Sequence, residues 1–146
     1  MRVLCLVLAL AGCAAAPPGG DLPLRNPTSP VASQADAALG RLSGEWLVVQ
    51  GAGLPPGTRV RLDARQAVIG GRAMPVRDEG QGRLTLDGAP VWVYWIDADN
   101  RTAALGDPDG RRVWIMDRSG KPGERLRAAR EILAWYGYDL ERLEQG

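Results

Sequence analysis

Residues 83–118 read RLTLDGAPVWVYWIDADNRTAALGDPDGRRVWIMDR. This stretch holds four short apolar runs: Arg83–Leu86, Val91–Asp97, Thr102–Leu105 and Arg111–Asp117. Asp87-Gly88, Asp99-Asn100 and Asp109-Gly110 separate them. Asp-Gly is favoured in tight hairpins because such turns need positive φ. Each run is too short for a stable helix, so four consecutive antiparallel strands are expected. Working back toward the amino terminus, the pattern repeats in Trp46–Gln50, Thr58–Asp63, Gln66–Ile69 and Arg72–Arg77. Here the turns are Pro55-Pro56-Gly57, Gly70-Gly71 and Glu79-Gly80. Eight strands joined by hairpins form a meander, and closing it removes the exposed edges. The expected fold is mostly β: a small up-and-down antiparallel β-barrel of about eight short strands. Pro75 must sit at a bulge of such a barrel, or its strand must be shorter than drawn.

Working forward, the period changes. Pro122 to Tyr136 places Leu126, Ala129, Ile132, Leu133 and Tyr136 on one face, with Arg127, Arg130 and Glu131 elsewhere. This is an amphipathic helix, with proline near its start and Gly137 as its stop. Its apolar face needs a partner. The run Val91 to Ile96 is apolar on both faces, so the helix is expected to pack outside the barrel against it.

The amino terminus reads MRVLCLVLALAGC. Arg2 is followed by an apolar run too short to span a bilayer, which takes about 20 residues, and then by small residues and a cysteine. Leu10-Ala11-Gly12-Cys13 resembles the bacterial lipobox, so residues 1–12 are expected to be a cleaved signal peptide and Cys13 to carry lipid. That anchors the protein to a membrane. Ala14 in place of aspartate favours the outer membrane of the cell envelope, facing the periplasm. Residues 13–40 are rich in Pro, Ala and Gly, cannot fold alone, and read as a tether, with room for one helical turn over residues 36–42. The barrel domain is then 41–146.

Composition excludes several functions. Lys+Arg number 18 and Asp+Glu 17. Arg2 is the only charge before Cys13, so the mature side chains balance. No basic stripe supports a nucleic-acid partner. The chain has no histidine, and Cys5 lies in the leader. A histidine-based triad, a Cys/His nucleophile and a His/Cys metal site are therefore excluded, and no enzyme, cofactor or metal is expected. Asp97, Asp99, Asp107 and Asp109 lack calcium-loop spacing and read as turn residues.

The order of parts resembles the lipocalins, particularly the bacterial outer-membrane members. Gly44-Glu45-Trp46 is similar to the Gly-x-Trp that opens the first lipocalin strand. Asp97 to Arg118 looks like the last two strands, and Gly137-Tyr138-Asp139 like the segment after the helix. The resemblance implies that Trp46 closes the barrel floor and that Arg118 packs across it, a structural pair. About seventy residues separate Trp46 from Arg118, fewer than a typical lipocalin spends. Either the strands are short and the barrel shallow, or a strand pair is missing.

If Arg118 points inward, strand parity brings Trp114 and Met116 with it, and Val48 and Gln50 follow Trp46. Trp95 joins them as a candidate, although Trp92 and Trp95 fall on opposite faces and one should pack beneath the helix. Val48, Gln50, Trp95, Trp114 and Met116 are thus the candidate ligand-binding residues. An eight-stranded barrel can hold one small ligand or be filled by its own side chains. The expected function is binding of a small hydrophobic ligand, a fatty acid or lysophospholipid, for sequestration or transport. The alternatives are a protein-interaction or protease-inhibitor-like barrel and a structural envelope lipoprotein with a filled barrel. No protein partner is indicated.

Overall fold

The computed structural model describes residues 22–146. The expected leader, Cys13 and the first part of the expected tether lie outside the described residues. Eight strands follow in chain order: β1 (Gly44–Ala52), β2 (Arg59–Leu62), β3 (Gln66–Ile69), β4 (Arg72–Gly80), β5 (Arg83–Leu86), β6 (Ala89–Ile96), β7 (Thr102–Gly106) and β8 (Val113–Asp117). Each pairs antiparallel with its neighbour in sequence, and β1 bonds both β8 and β2, which closes the barrel. All eight expected runs are strands. The spacing from Trp46 to Arg118 is short because β2, β3 and β5 have four residues each. A ninth strand, β9 (Glu144–Gln145), pairs with Gln50 and Gly51 of β1. It does so where the β1–β2 register, which ends at Leu47 and Arg59, has run out.

Pro75 lies between two ladders. It pairs with Gln66 at the last register position of β3–β4, and β4–β5 pairing begins at Val76. The Val76 N–H donates back to the Arg65 carbonyl, so the Pro75 nitrogen faces the other side, beyond the end of the β5 register. No ladder bond is lost there.

One core fills the barrel and another lies outside it. Inside are Trp46, Val48, Leu62, Leu84, Val93 and Met116, among others. A single helical turn, α1 (Leu39–Leu42), lays Leu39 and Leu42 across one end as a floor. Outside, α2 (Arg125–Trp135) buries Ala129 and Leu133 completely, in a cluster with Tyr94, Ala104 and Ile115. This helix starts later than the apolar pattern from Pro122 suggests. Glu124, at its N-cap, makes no side-chain capping bond.

Residues 22–40 do not behave as a free tether; they strap the barrel from one end to the other. The Leu24 N–H donates to the Gly110 carbonyl (2.7 Å), Asn26 N–H to Gly137 (2.8 Å) and Gln34 N–H to Val93 (2.8 Å). This segment cannot bury enough surface to fold alone. It orders because the barrel offers it unpaired groups. β5 begins only at Arg83, opposite Trp92, so beyond Val93 that edge of β6 has no strand beside it and leaves the Val93 carbonyl and the Ile96 N–H open. Gln34 takes both: its N–H serves the Val93 carbonyl, and its side-chain Oε1 accepts the Ile96 N–H at 2.8 Å. Gly82 permits this approach. Its φ is +72°, and a Cβ there would lie 2.3 Å from the Gln34 carbonyl oxygen.

Candidate functional site

The barrel has a closed end and a mouth. At the closed end, the Trp46 indole donates to the Leu42 carbonyl at 2.7 Å, tying the wall to the floor turn. The Arg118 guanidinium lies 3.7 Å from the centre of the Trp46 ring. It donates to the carbonyls of Ser43 (2.7 Å), Asn100 (3.0 Å) and Arg41 (3.1 Å). Burial holds its pKa below the ordinary arginine value, but the charge survives and is spread over three carbonyl dipoles. Arg118 thus joins the floor turn, the β6–β7 turn and the start of β1.

Beside it, Asp117 is buried. It accepts from the Thr102 hydroxyl (2.6 Å), from the Ser119 N–H and hydroxyl (2.8 Å each) and from the Lys121 N–H (3.2 Å). Burial pushes its pKa up, but these hydrogen bonds outweigh that and hold it below the usual carboxylate value. A depressed folded pKa stabilises the fold above the unfolded value, and the gain is lost as pH falls through the folded value. Asp117→Asn is therefore expected to be less stable than the parent near neutral pH. Urea unfolding should show the gap narrowing below about pH 4.

Three candidate ligand residues meet inside. Val48, Trp114 and Met116 are each at most 1% exposed and belong to the inner core. Two do not join them. Gln50, expected to share parity with Trp46, faces outward, and its Oε1 accepts from Arg130 of α2 at 2.5 Å. A register shift between Val48 and Gln50 adds one residue and reverses the side that follows. Trp95 is corrected for the same reason. The β6 bulge turns it out into the outer cluster with Trp92, so both tryptophans lie on the helix side.

Trp114 is the unusual member of the interior. It is 1% exposed, yet its indole N–H has no acceptor among the described residues. Such a donor forfeits about 1–3 kcal/mol. It sits under the mouth, paired in register with Gly51 and Leu105. Above it the β1–β2 connection dips inward and buries Leu54 in the inner core. Gly51 allows this: a Cβ there would lie 2.1 Å from the Leu54 carbonyl oxygen. Leu54 was not singled out from the sequence. The available signal was a lone leucine within Gly53-Leu54-Pro55-Pro56-Gly57, where turn chemistry alone has no use for it.

A family model described as a lipocalin-like domain matches residues 60–146, from β2 to the end of the chain. The chain belongs to the lipocalin-like family. Its fold is similar to that of lobster apocrustacyanin A1, with a TM-score of 0.50 and 13% identity over 81% of this chain and 89% of that one. No curated protein matches the chain.

At the mouth of this lipocalin, the polar groups come from the β7–β8 turn. Arg112 holds Asp107 through two bonds, 3.0 and 3.2 Å, and Asp107 is almost fully buried. The Tyr138 hydroxyl donates to the Asp107 carbonyl (2.8 Å) and shares a 2.6 Å hydrogen bond with Tyr94. Burial raises Tyr94 to about 12, so both phenols stay protonated at physiological pH. A cavity of about 280 Å³ at this rim is lined by Ala89, Asp107, Arg111 and Arg112. The carboxylates Asp97, Asp107 and Asp109 are spent locally: Asp97 accepts from the Arg101 and Thr102 N–H groups, Asp109 from Arg111, and Asp107 pairs with Arg112.

Proposed function

We propose that this lipocalin binds one small apolar ligand, a fatty acid or lysophospholipid, for sequestration or transport in the bacterial cell envelope. It is held there by lipid on Cys13, at the outer membrane and facing the periplasm. The observation that carries the ligand reading is Trp114: a large apolar surface with an unspent donor, inside a closed barrel. A single acyl chain would enter under the β1–β2 connection, displace Leu54 and lie against Trp114, Met116 and Val48. Apolar burial of roughly 25 cal/mol per Å² would drive binding. The flexible thioether of Met116 suits an irregular chain. The unpaired indole N–H would take a ligand oxygen, and Arg111 or Arg112 at the rim would face an anionic headgroup. The action is non-covalent.

Tryptophan fluorescence of residues 22–146, titrated with fatty acids and lysophospholipids, tests this reading. A saturable change at stoichiometric, sub-micellar ligand is expected, weakened at least tenfold by Trp114→Ala in a folded variant, equivalent to about 1.4 kcal/mol. The tight packing of Leu54 over Trp114 favours a second reading, a filled barrel used as a scaffold for protein contacts. A flat response across the panel would leave that one standing.

A further inference from the structure

We propose that the mouth of the barrel faces the lipid bilayer, so that the domain docks on the membrane through its rim. This rests on the lipid-anchor reading of Cys13. The route of the strap carries it. In the described residues the chain starts at Leu22, and Leu22–Leu24 lie against the β7–β8 turn and the end of β1, beside Gly110, Arg111, Ala52 and Gly53. From there the strap descends past Gln34 on β6 to the floor turn at Leu39–Leu42. The polypeptide leading to Cys13 therefore departs from the mouth, at the end opposite Trp46 and Arg118.

The spacing limits the alternatives. Leu22 lies nine positions after Cys13, a reach of at most about 32 Å. A barrel wall of roughly 25 Å along its axis would consume most of that reach if the floor faced the bilayer. With the rim facing it, none is consumed.

The surface chemistry agrees independently. The two exposed large apolar side chains among the described residues are Leu22 (79% exposed) and Trp135 (77%). Both lie toward the mouth. Leu22 is at the rim. Trp135 closes α2 at the end from which Tyr138 reaches Asp107, whereas Arg125, at the other end, meets Asp97 near the floor at 3.6 Å. Exposed tryptophan and leucine suit the membrane interface. The rim arginines are mostly matched, Arg72 by Asp87 and Arg111 by Asp109. Apolar contact and the anchor, rather than net charge, would therefore set the orientation. The exposed floor residues include Asp63, Arg65, Gln81, Asp99 and Arg101, and no large apolar side chain is exposed at that end among the described residues. A mouth held against lipid would let a single-chain lipid pass between bilayer and barrel without crossing water.

The test uses the full, lipidated chain in vesicles of phosphatidylethanolamine and phosphatidylglycerol containing a doxyl-labelled phospholipid. Single cysteines are placed at the rim (Pro55→Cys, Glu144→Cys) and at the floor (Arg65→Cys, Arg101→Cys), and each carries a fluorophore. Mass spectrometry first establishes acylation of Cys13. Rim probes quenched several-fold more than floor probes is the expected result. Equal quenching, or stronger quenching at the floor, on an acylated chain would overturn the orientation and leave the anchor intact. A chain without lipid on Cys13 would overturn the anchor reading and the orientation with it.

Discussion

Replacing Arg118 by alanine is expected to lower the unfolding free energy by about 3 kcal/mol, read from urea denaturation. Three carbonyls, of Arg41, Ser43 and Asn100, lose their charged donor. Hydrogen bonds to a charged group contribute about 1.5–3 kcal/mol each. The side chain is partly exposed, so water replaces part of this. The stacking on Trp46 adds roughly 0.5–2 kcal/mol. Arg118→Lys is expected to recover only a minority of the loss, because one ammonium cannot match a planar fork that serves three carbonyls and an indole face. If lysine restored full stability, the charge alone would matter and the geometry of the floor would not.

Gly51→Ala is expected to cost about 2–4 kcal/mol. Its Cβ would meet the Leu54 carbonyl oxygen at 2.1 Å and the Trp114 Cβ at 3.2 Å. The first contact is with backbone, so no rotamer change relieves it. Either β1 shifts or the β1–β2 connection lifts and exposes Leu54, which itself costs about 1.5–3 kcal/mol. Lifting would also uncover Trp114. The variant should then show a red-shifted tryptophan emission and faster quenching by acrylamide while still folded. Unchanged stability and unchanged quenching would mean that the connection does not press on the mouth.

Most of the barrel was legible in the sequence because turn chemistry and alternation are local signals. Asp87-Gly88, Asp109-Gly110 and Gly70-Gly71 each fix a hairpin, and once eight hairpin-linked strands are counted, closure follows from the edges. The helix was legible from its apolar face, although its first turn was not, since Pro122 and Gly123 fit a turn as well as a helix start. The lining of the interior was read correctly only where the alternation ran unbroken. Val48, Trp114 and Met116 keep the parity of Trp46 and Arg118. Gln50 and Trp95 lie just past bulges in β1 and β6, and a bulge is a product of tertiary pairing that leaves no reliable mark in the alternation itself.

The strap was missed for a related reason. Residues 22–38 contain little that would fold by itself. Their order comes from groups that the barrel leaves unpaired, above all the Val93 carbonyl and the Ile96 N–H on the edge of β6 beyond the end of β5. A segment that completes another element's hydrogen bonding carries its signal in that other element. The same limitation hid Leu54. Its burial depends on the absence of a side chain at Gly51, three residues earlier, and that reads in the sequence as an ordinary strand glycine.

A ligand that enters the interior would lie against Trp114 and Met116. The chain has three methionines, of which Met74 and Met116 are the two in the barrel. Carbon-13 labelling of the methionine methyls in residues 22–146 gives one probe in the wholly buried interior and a second, at Met74, only partly buried against it. Titration with a lysophospholipid below its micellar concentration is expected to shift the Met116 resonance and saturate at one equivalent, with Trp114→Ala weakening the response. A Met116 resonance that stays in place through stoichiometric addition, in a folded protein, would rule out a ligand in the interior and identify the barrel as a filled scaffold.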